Sequence, residues 1–185
     1  MKTAGFVLTG GESSRMGRDK ALLPAGNSVM VESIASTLAT VTEEVFLVGR
    51  PERYSGLAFE CLPDLRPGLG PLSGLETVLA SHRAELNVVV ACDLAGLRAS
   101  WITGLLQAMK PEALCAAVLD RNAKLQPLCA VYRTECLERV TNAINEGRLR
   151  AIHLLAELKA VKVSVDDVIL NMNTPEEFER WATSR

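Results

Sequence analysis

The chain has little of what several protein classes need. Its 20 Lys and Arg nearly balance 22 Asp and Glu, for a formal charge of −2. That balance argues against sustained binding to nucleic acid or to a membrane surface, so an anionic substrate has to be met by local cations. A bilayer-spanning helix needs roughly 20 apolar residues, and the runs around Val45 and Val88 are far shorter. No charged region with an apolar core and a small-residue cleavage site opens the sequence, because a glycine pair follows Lys2 within eight residues. The five cysteines are odd in number and include no Cys-x-x-Cys pair. They read as reduced, mostly core thiols of a cytoplasmic protein. Only His82 and His153 are available as imidazole ligands, neither near a cysteine, so no zinc site is expected.

Linkers, repeats and low-complexity segments are also missing. What remains, 48% hydrophobic and 23% charged over 185 residues, suits one compact domain spanning 1–185. Strand and helix patterns alternate along it. Ala4 to Leu8 reads as a first buried strand, and apolar positions 31, 34, 35 and 38 as a helix capped by Ser28. Glu44 to Gly49 reads as a second strand, and Ala58 to Leu62 as a weak one. A Pro- and Gly-dense loop from Pro63 to Gly74 opens a helix that runs to about His82. Asn87 to Asp93 carries the strongest strand pattern, a β-branched run expected of a central parallel strand covered on both faces. Beyond it lie a helix over 101–109 capped by Ser100, strands over 114–119 and 128–133, and an amphipathic helix over 134–146 ended by Gly147. A short helix over 151–158, a strand over 161–165 and a helix started by Thr174 and Pro175 complete the series. The expected fold is α/β: a doubly wound, mostly parallel sheet with helices on both faces. Ligands in such folds sit beyond the carboxyl ends of the strands, which places the Gly10 loop, the Gly49 end and Asp93 on one rim.

The chemistry concentrates in Leu8-Thr9-Gly10-Gly11-Glu12-Ser13-Ser14-Arg15-Met16-Gly17-Arg18-Asp19-Lys20. Two glycines leaving a strand let the backbone turn sharply and bare its amides, while Arg15 and Lys20 add positive charge. Together these are the means of binding a phosphate. The glycine spacing fits neither a Walker loop nor a dinucleotide fingerprint. A second feature is Asp93, a carboxylate at the mouth of an apolar strand. It suits a Mg²⁺ ion that takes its other ligands from phosphates and water, or it caps the following turn.

The Leu-x-Gly-Gly-x-Ser-x-Arg-Met-Gly-x-Asp-Lys pattern resembles the signature of sugar-phosphate and cofactor nucleotidyltransferases, and most of all the molybdenum cofactor guanylyltransferases. That resemblance implies in-line transfer of GMP from GTP to the phosphate of molybdopterin, with pyrophosphate leaving and Mg²⁺ as cofactor. It implies that Leu8, Thr9, Gly10, Gly11, Lys20, Asp64 and Asp93 bind the nucleotide. Lys20 and Arg15 neutralise charge on the phosphates, and Asp93 holds the metal. Asp64 precedes Gly70-Pro71-Leu72-Ser73-Gly74, which matches the family's guanosine-contacting aspartate; its bland reading is a turn aspartate after Pro63. Asn171 and Asn173, in a segment like the family's Asn-x-Asn-Thr-Pro-Glu-Glu, fall to the metal or the acceptor phosphate. Gln126-Pro127-Leu128 resembles a segment that faces the acceptor. Arg148 and Arg150 either meet the acceptor phosphate or form a solvated helix end. Other molybdenum cofactor proteins are possible partners.

Three positions depart from the family pattern. Thr9 stands where alanine is usual, and Gly49 where an asparagine is common. Cys92-Asp93-Leu94-Ala95 lacks the proline of Cys-Asp-x-Pro, which leaves the rigidity of that loop unaccounted for. A cytidylyltransferase and a non-catalytic nucleotide-binding homologue are the competing readings; the glycine pair favours guanine over cytosine.

Overall fold

The computed structural model describes residues 1–10, 19–172 and 177, with only the backbone of Leu170. Along the chain run β1 (Thr3–Leu8), a 3₁₀ turn (Lys20–Leu22), β2 (Pro24–Ala25), β3 (Ser28–Val29), α1 (Met30–Ala39), β4 (Glu44–Gly49), α2 (Pro51–Tyr54) and β5 (Cys61–Pro63). They are followed by α3 (Pro71–Ala80), β6 (Leu86–Ala91), β7 (Leu94–Ala95), α4 (Ala99–Ala108), β8 (Cys115–Leu119) and β9 (Leu125–Arg133). After a second 3₁₀ turn (Thr134–Cys136) come α5 (Leu137–Asn145), α6 (Ala151–Glu157), β10 (Val161–Ser164) and β11 (Leu170–Asn171).

Seven strands form one sheet in the order β10-β8-β9-β6-β1-β4-β5. All neighbours are parallel except the two pairs made by β9. Side chains alternate across it as strand geometry requires. Val7, Leu47, Val88 and Val90 pack with Val31, Ile34, Ile102 and Leu105 of α1 and α4 on one face. Phe6, Leu8, Phe46 and Val89 pack with Leu72, Leu75, Val140 and Leu154 of α3, α5 and α6 on the other. Helices thus cover both faces, the expected doubly wound arrangement. From β1 the chain steps out through β4 to β5, then returns to the opposite side of β1 as β6. Neighbouring strands at β1 are therefore followed by connections in opposite directions, the kind of reversal that opens a crevice.

Several local expectations are revised. α1 is capped at Val29, whose amide donates to Glu32 Oε2 (3.4 Å), while Ser28 lies in β3 and donates to the Ala25 carbonyl. α4 begins two residues earlier than expected, at Ala99, with Arg98 as its cap, so Ser100 is already inside the helix. The weak strand falls at Cys61–Pro63, the only part of that segment in register with β4. β6 is parallel to β1 but antiparallel to β9, so it is the seam of the sheet; burial on both faces still explains its unbroken apolar run. The start of the expected C-terminal helix, at Thr174 and Pro175, lies outside the described residues.

Candidate active site

The end of β1 is tied to the ends of β4 and β6 where the chain leaves them. The Thr9 amide donates to the Val48 carbonyl (2.9 Å), and the Cys92 amide donates to the Leu8 carbonyl (3.0 Å). A cleft of about 170 Å³ opens at this point. Leu8, Thr9, Gly10, Lys20, Asp64 and Asp93 all line it, with Gly70, Pro71 and Gly74 forming one wall and Leu128 another. Residues drawn from four separate stretches of sequence are thus brought to one place.

Asp64 is held in a fixed attitude. Its amide donates to the Gly49 carbonyl (3.1 Å), which extends the β4–β5 pairing into the loop. Its Oδ1 accepts from the Arg66 amide (3.0 Å) and from the Ser73 hydroxyl. Oδ2 faces the opposite wall, 3.7 Å from where a Cβ on Gly10 would stand. Gly70 adopts φ +79°, open only to glycine without strain, and sets Pro71 at the first turn of α3. Behind this loop Arg66 pairs with the buried Glu76 (2.9 Å), which also accepts from Thr141 (2.8 Å). The Arg66 guanidinium donates to Asn145 as well (2.7 Å). The loop is braced against α3 and α5 by groups away from the cleft.

Asp93 is half-buried, and burial raises its carboxyl above the usual range; the Lys20 charge works in the opposite direction. A cation beside it therefore has electrostatic work to do. The loop after it, without the family's proline, is held by other means. β7 pairs antiparallel with β11, setting Asn171 opposite Leu94, and the Met172 amide donates to the Asp93 carbonyl (2.9 Å). Ladder hydrogen bonds from the C-terminal segment thus hold the loop after Asp93.

The remaining expected residues divide. Asn171 is brought within one ladder position of the Asp93 loop. Gly11, Arg15 and Asn173 lie outside the described residues. Arg148 is not brought to the cleft: it pairs with Glu146 (2.8 Å) and Glu157 at the surface, the solvated helix end weighed from the sequence. Gln126 spends its amide on Asp120 (3.1 Å), and Leu128 is the member of that segment which reaches the cleft. All five cysteines are free thiols, and burial pushes Cys92 and Cys129 up to about 12. Sequence reasoning missed Tyr54 altogether. Its hydroxyl donates to Asp19 Oδ2 (2.9 Å), next to Lys20 in sequence, yet Pro51-Glu52-Arg53-Tyr54 carries only the pattern of a helix start.

Among the described residues no group of three or more His, Cys, Asp or Glu is placed to hold a metal ion. An all-protein cage is thus not built from them. A lone carboxylate whose ionised form burial disfavours, facing a cleft, does fit a hard divalent cation that takes its other ligands from substrate and water.

The chain is similar in sequence to proteins of known families over most of its length. The "Probable molybdenum cofactor guanylyltransferase" of Carboxydothermus hydrogenoformans is 32% identical over 183 residues, covering 94% of this chain and 92% of that protein. Its namesake in Flavobacterium johnsoniae is 30% identical, covering 94% and 87%. Among solved structures, molybdopterin-guanine dinucleotide biosynthesis protein A from Archaeoglobus fulgidus superposes with a TM-score of 0.78 at 23% identity, covering 100% of this chain and 98% of that one. That likeness carries the fold. The family described as MobA-like NTP transferase domain matches residues 5–163. With the nucleotidyltransferase sheet, the cleft at its switch point and this match in agreement, the chain belongs to the MobA-like NTP transferase family, whose members are nucleotidyltransferases.

Proposed function

We propose that this chain transfers GMP from GTP to the phosphate of molybdopterin. The observation that carries the reading is the convergence of Leu8–Gly10, Lys20, Asp64 and Asp93 on one cleft. Backbone amides at Gly10 and the Lys20 ammonium suit the triphosphate. Asp64 Oδ2 suits the guanine N1–H and exocyclic amine, or the ribose hydroxyls, because a carboxylate only accepts. Asn171, beside the Asp93 loop, is assigned to the acceptor side; Gly11, Arg15 and Asn173 are kept as nucleotide and acceptor contacts on the strength of the motif.

In the reaction an oxygen of the molybdopterin phosphate attacks the α-phosphorus of GTP. A new P–O–P link forms, the bond from the α-phosphorus to its bridging oxygen breaks, and pyrophosphate carries away the electron pair. Positioning and charge neutralisation carry such a transfer, with no covalent enzyme intermediate. Lys20 offsets charge on the phosphates. Asp93 holds Mg²⁺, which when bound neutralises phosphate charge. The five free thiols suit a reducing compartment, and we place the protein in the cytoplasm.

The test is calorimetry of the purified chain with GTP, CTP and ATP, each with and without Mg²⁺, repeated on Asp93→Ala. Preferential GTP binding with a magnesium effect lost in the variant supports the reading. Preference for CTP moves the protein to the cytidylyltransferases, and failure to bind any nucleotide makes the cleft a scaffold.

A further inference from the structure

We propose that Tyr54 is a positioning residue for Lys20, acting through Asp19: its buried hydroxyl pins the carboxylate that sets the turn carrying the lysine. The inference rests on the reading of Lys20 as the phosphate-binding cation.

Lys20 sits on the 3₁₀ turn Lys20–Leu22, and Asp19 is the cap of that turn. Asp19 Oδ1 accepts from the Ala21 amide (3.1 Å), and the Asp19 and Lys20 carbonyls accept from Leu22 (3.1 Å) and Leu23 (3.2 Å). The backbone on either side of Lys20 is thereby committed. Ala21 is fully buried in the same apolar cluster that takes the Tyr54 ring, so one side of the turn is anchored by packing.

The other side is anchored through Asp19 Oδ2, which receives the Tyr54 hydroxyl at 2.9 Å and Arg53 Nη1 at 3.4 Å. These two holders are unequal. The Arg53 side chain is 45% exposed, where an ion pair contributes little. Tyr54 is only 2% exposed and the Asp19 side chain 15%, and a hydroxyl donating to a largely buried carboxylate makes a stronger, geometrically defined bond. Tyr54 also belongs to α2, the turn that directly follows β4, and β4 pairs with β1 through Val48 and Leu8. The hydroxyl therefore refers the position of Lys20 to the same strands that set Thr9 and Gly10. A lysine has a long flexible stem, so fixing the backbone beneath it reduces the ordering that nucleotide binding must impose.

The chemistry predicts a selective defect. Full-length wild type, Tyr54→Phe, Asp19→Ala, Tyr54→Phe/Asp19→Ala and Lys20→Ala are titrated with GTP and Mg²⁺ by calorimetry and with guanosine by ligand-observed NMR. Thermal melting checks the fold of each. Tyr54→Phe is expected to weaken GTP about tenfold, the size of one hydrogen bond to a charged group, while guanosine binding stays the same. In the Asp19→Ala background the tyrosine substitution adds nothing further. Unchanged GTP affinity in Tyr54→Phe beside a clear loss in Lys20→Ala overturns the positioning role and leaves the function intact. Equal loss for GTP and guanosine overturns it too, since a merely structural role would spread the damage. Unchanged GTP affinity in Lys20→Ala removes both the inference and the phosphate role beneath it. Should Tyr54→Phe not fold, Asp19→Ala carries the test alone, and wild-type GTP affinity in it overturns the proposal.

Discussion

Thr9 and Gly49 exclude each other's side chains: a Cβ on residue 49 would stand 2.2 Å from Thr9 Oγ1. The Thr9 hydroxyl donates instead to the Val48 carbonyl (2.9 Å) and fills the space above the end of β4. In this chain the threonine at position 9 therefore requires the glycine at position 49. Gly49→Ala should cost about 1–3 kcal/mol by overpacking. Combined with Thr9→Ala, most of that cost should disappear, a coupling of at least about 1 kcal/mol in a double-mutant cycle. Urea denaturation of the four proteins measures it; additive losses would contradict the pairing.

Asp93 is held at a cost to the folded state. Because burial raises its carboxyl above 3.8, folding favours the protonated form relative to the unfolded chain. The stability this group contributes is complete below pH 3.8 and is lost as pH rises through its folded value. At neutral pH, nucleotide-free Asp93→Asn should therefore melt above wild type, by about 2–4 °C for each kcal/mol regained at this chain length. Calorimetric scans should also show the variant insensitive to Mg²⁺ with GTP. In the wild type, the magnesium effect on GTP binding should fade as falling pH protonates Asp93, beginning above pH 3.8. A variant no more stable than wild type would contradict the burial argument.

The role proposed for Lys20 is charge neutralisation and not packing. One preorganised charge contact is worth about 3–4 kcal/mol at the transition state, so Lys20→Ala should lower turnover roughly 10²- to 10³-fold. Pyrophosphate release gives the rate and urea unfolding the stability. A stability loss of the same size as the loss in transition-state binding would remove the assignment.

The single Ser73 hydroxyl proton is shared between Asp64 Oδ1 and the Arg66 carbonyl (2.7 Å), which ties the carboxylate to the loop. Ser73→Ala should free the carboxylate to turn. GTP affinity should drop about tenfold, the worth of one hydrogen bond to a charged group, while ATP and CTP, bound weakly at the start, change less. Equal losses for all three nucleotides would rule out the base contact and leave Asp64 to the ribose hydroxyls or Ser73 to general support of the loop.

Much of this was legible residue by residue. The apolar runs of β1, β4 and β6 could hardly be anything but buried strands, and Gly70-Pro71 announces the start of α3 where the structure has it. Asp93 could be singled out because a carboxylate at the mouth of an apolar strand needs a reason, Lys20 as a cation of the glycine-rich loop, and Asp64 through the family resemblance. The caps were less legible. Ser28 and Ser100 have the right chemistry, but the caps are Val29 and Arg98, so α1 and α4 start at Met30 and Ala99.

What the sequence by itself determined is the set of elements and the chemical inventory, because periodicity and glycine placement act over a few residues. Tertiary structure alone decided which elements meet. β6 lies beside β1 and not beside β5, because only there are both of its faces covered. The pairing of β11 with β7 secures the Asp93 loop across some 75 residues of intervening sequence, between Ala95 and Leu170. Tyr54 reaches Asp19 from 35 positions away. Such contacts leave no local pattern, since burial and hydrogen-bond satisfaction of the whole chain select them, and the cleft exists only once they have formed.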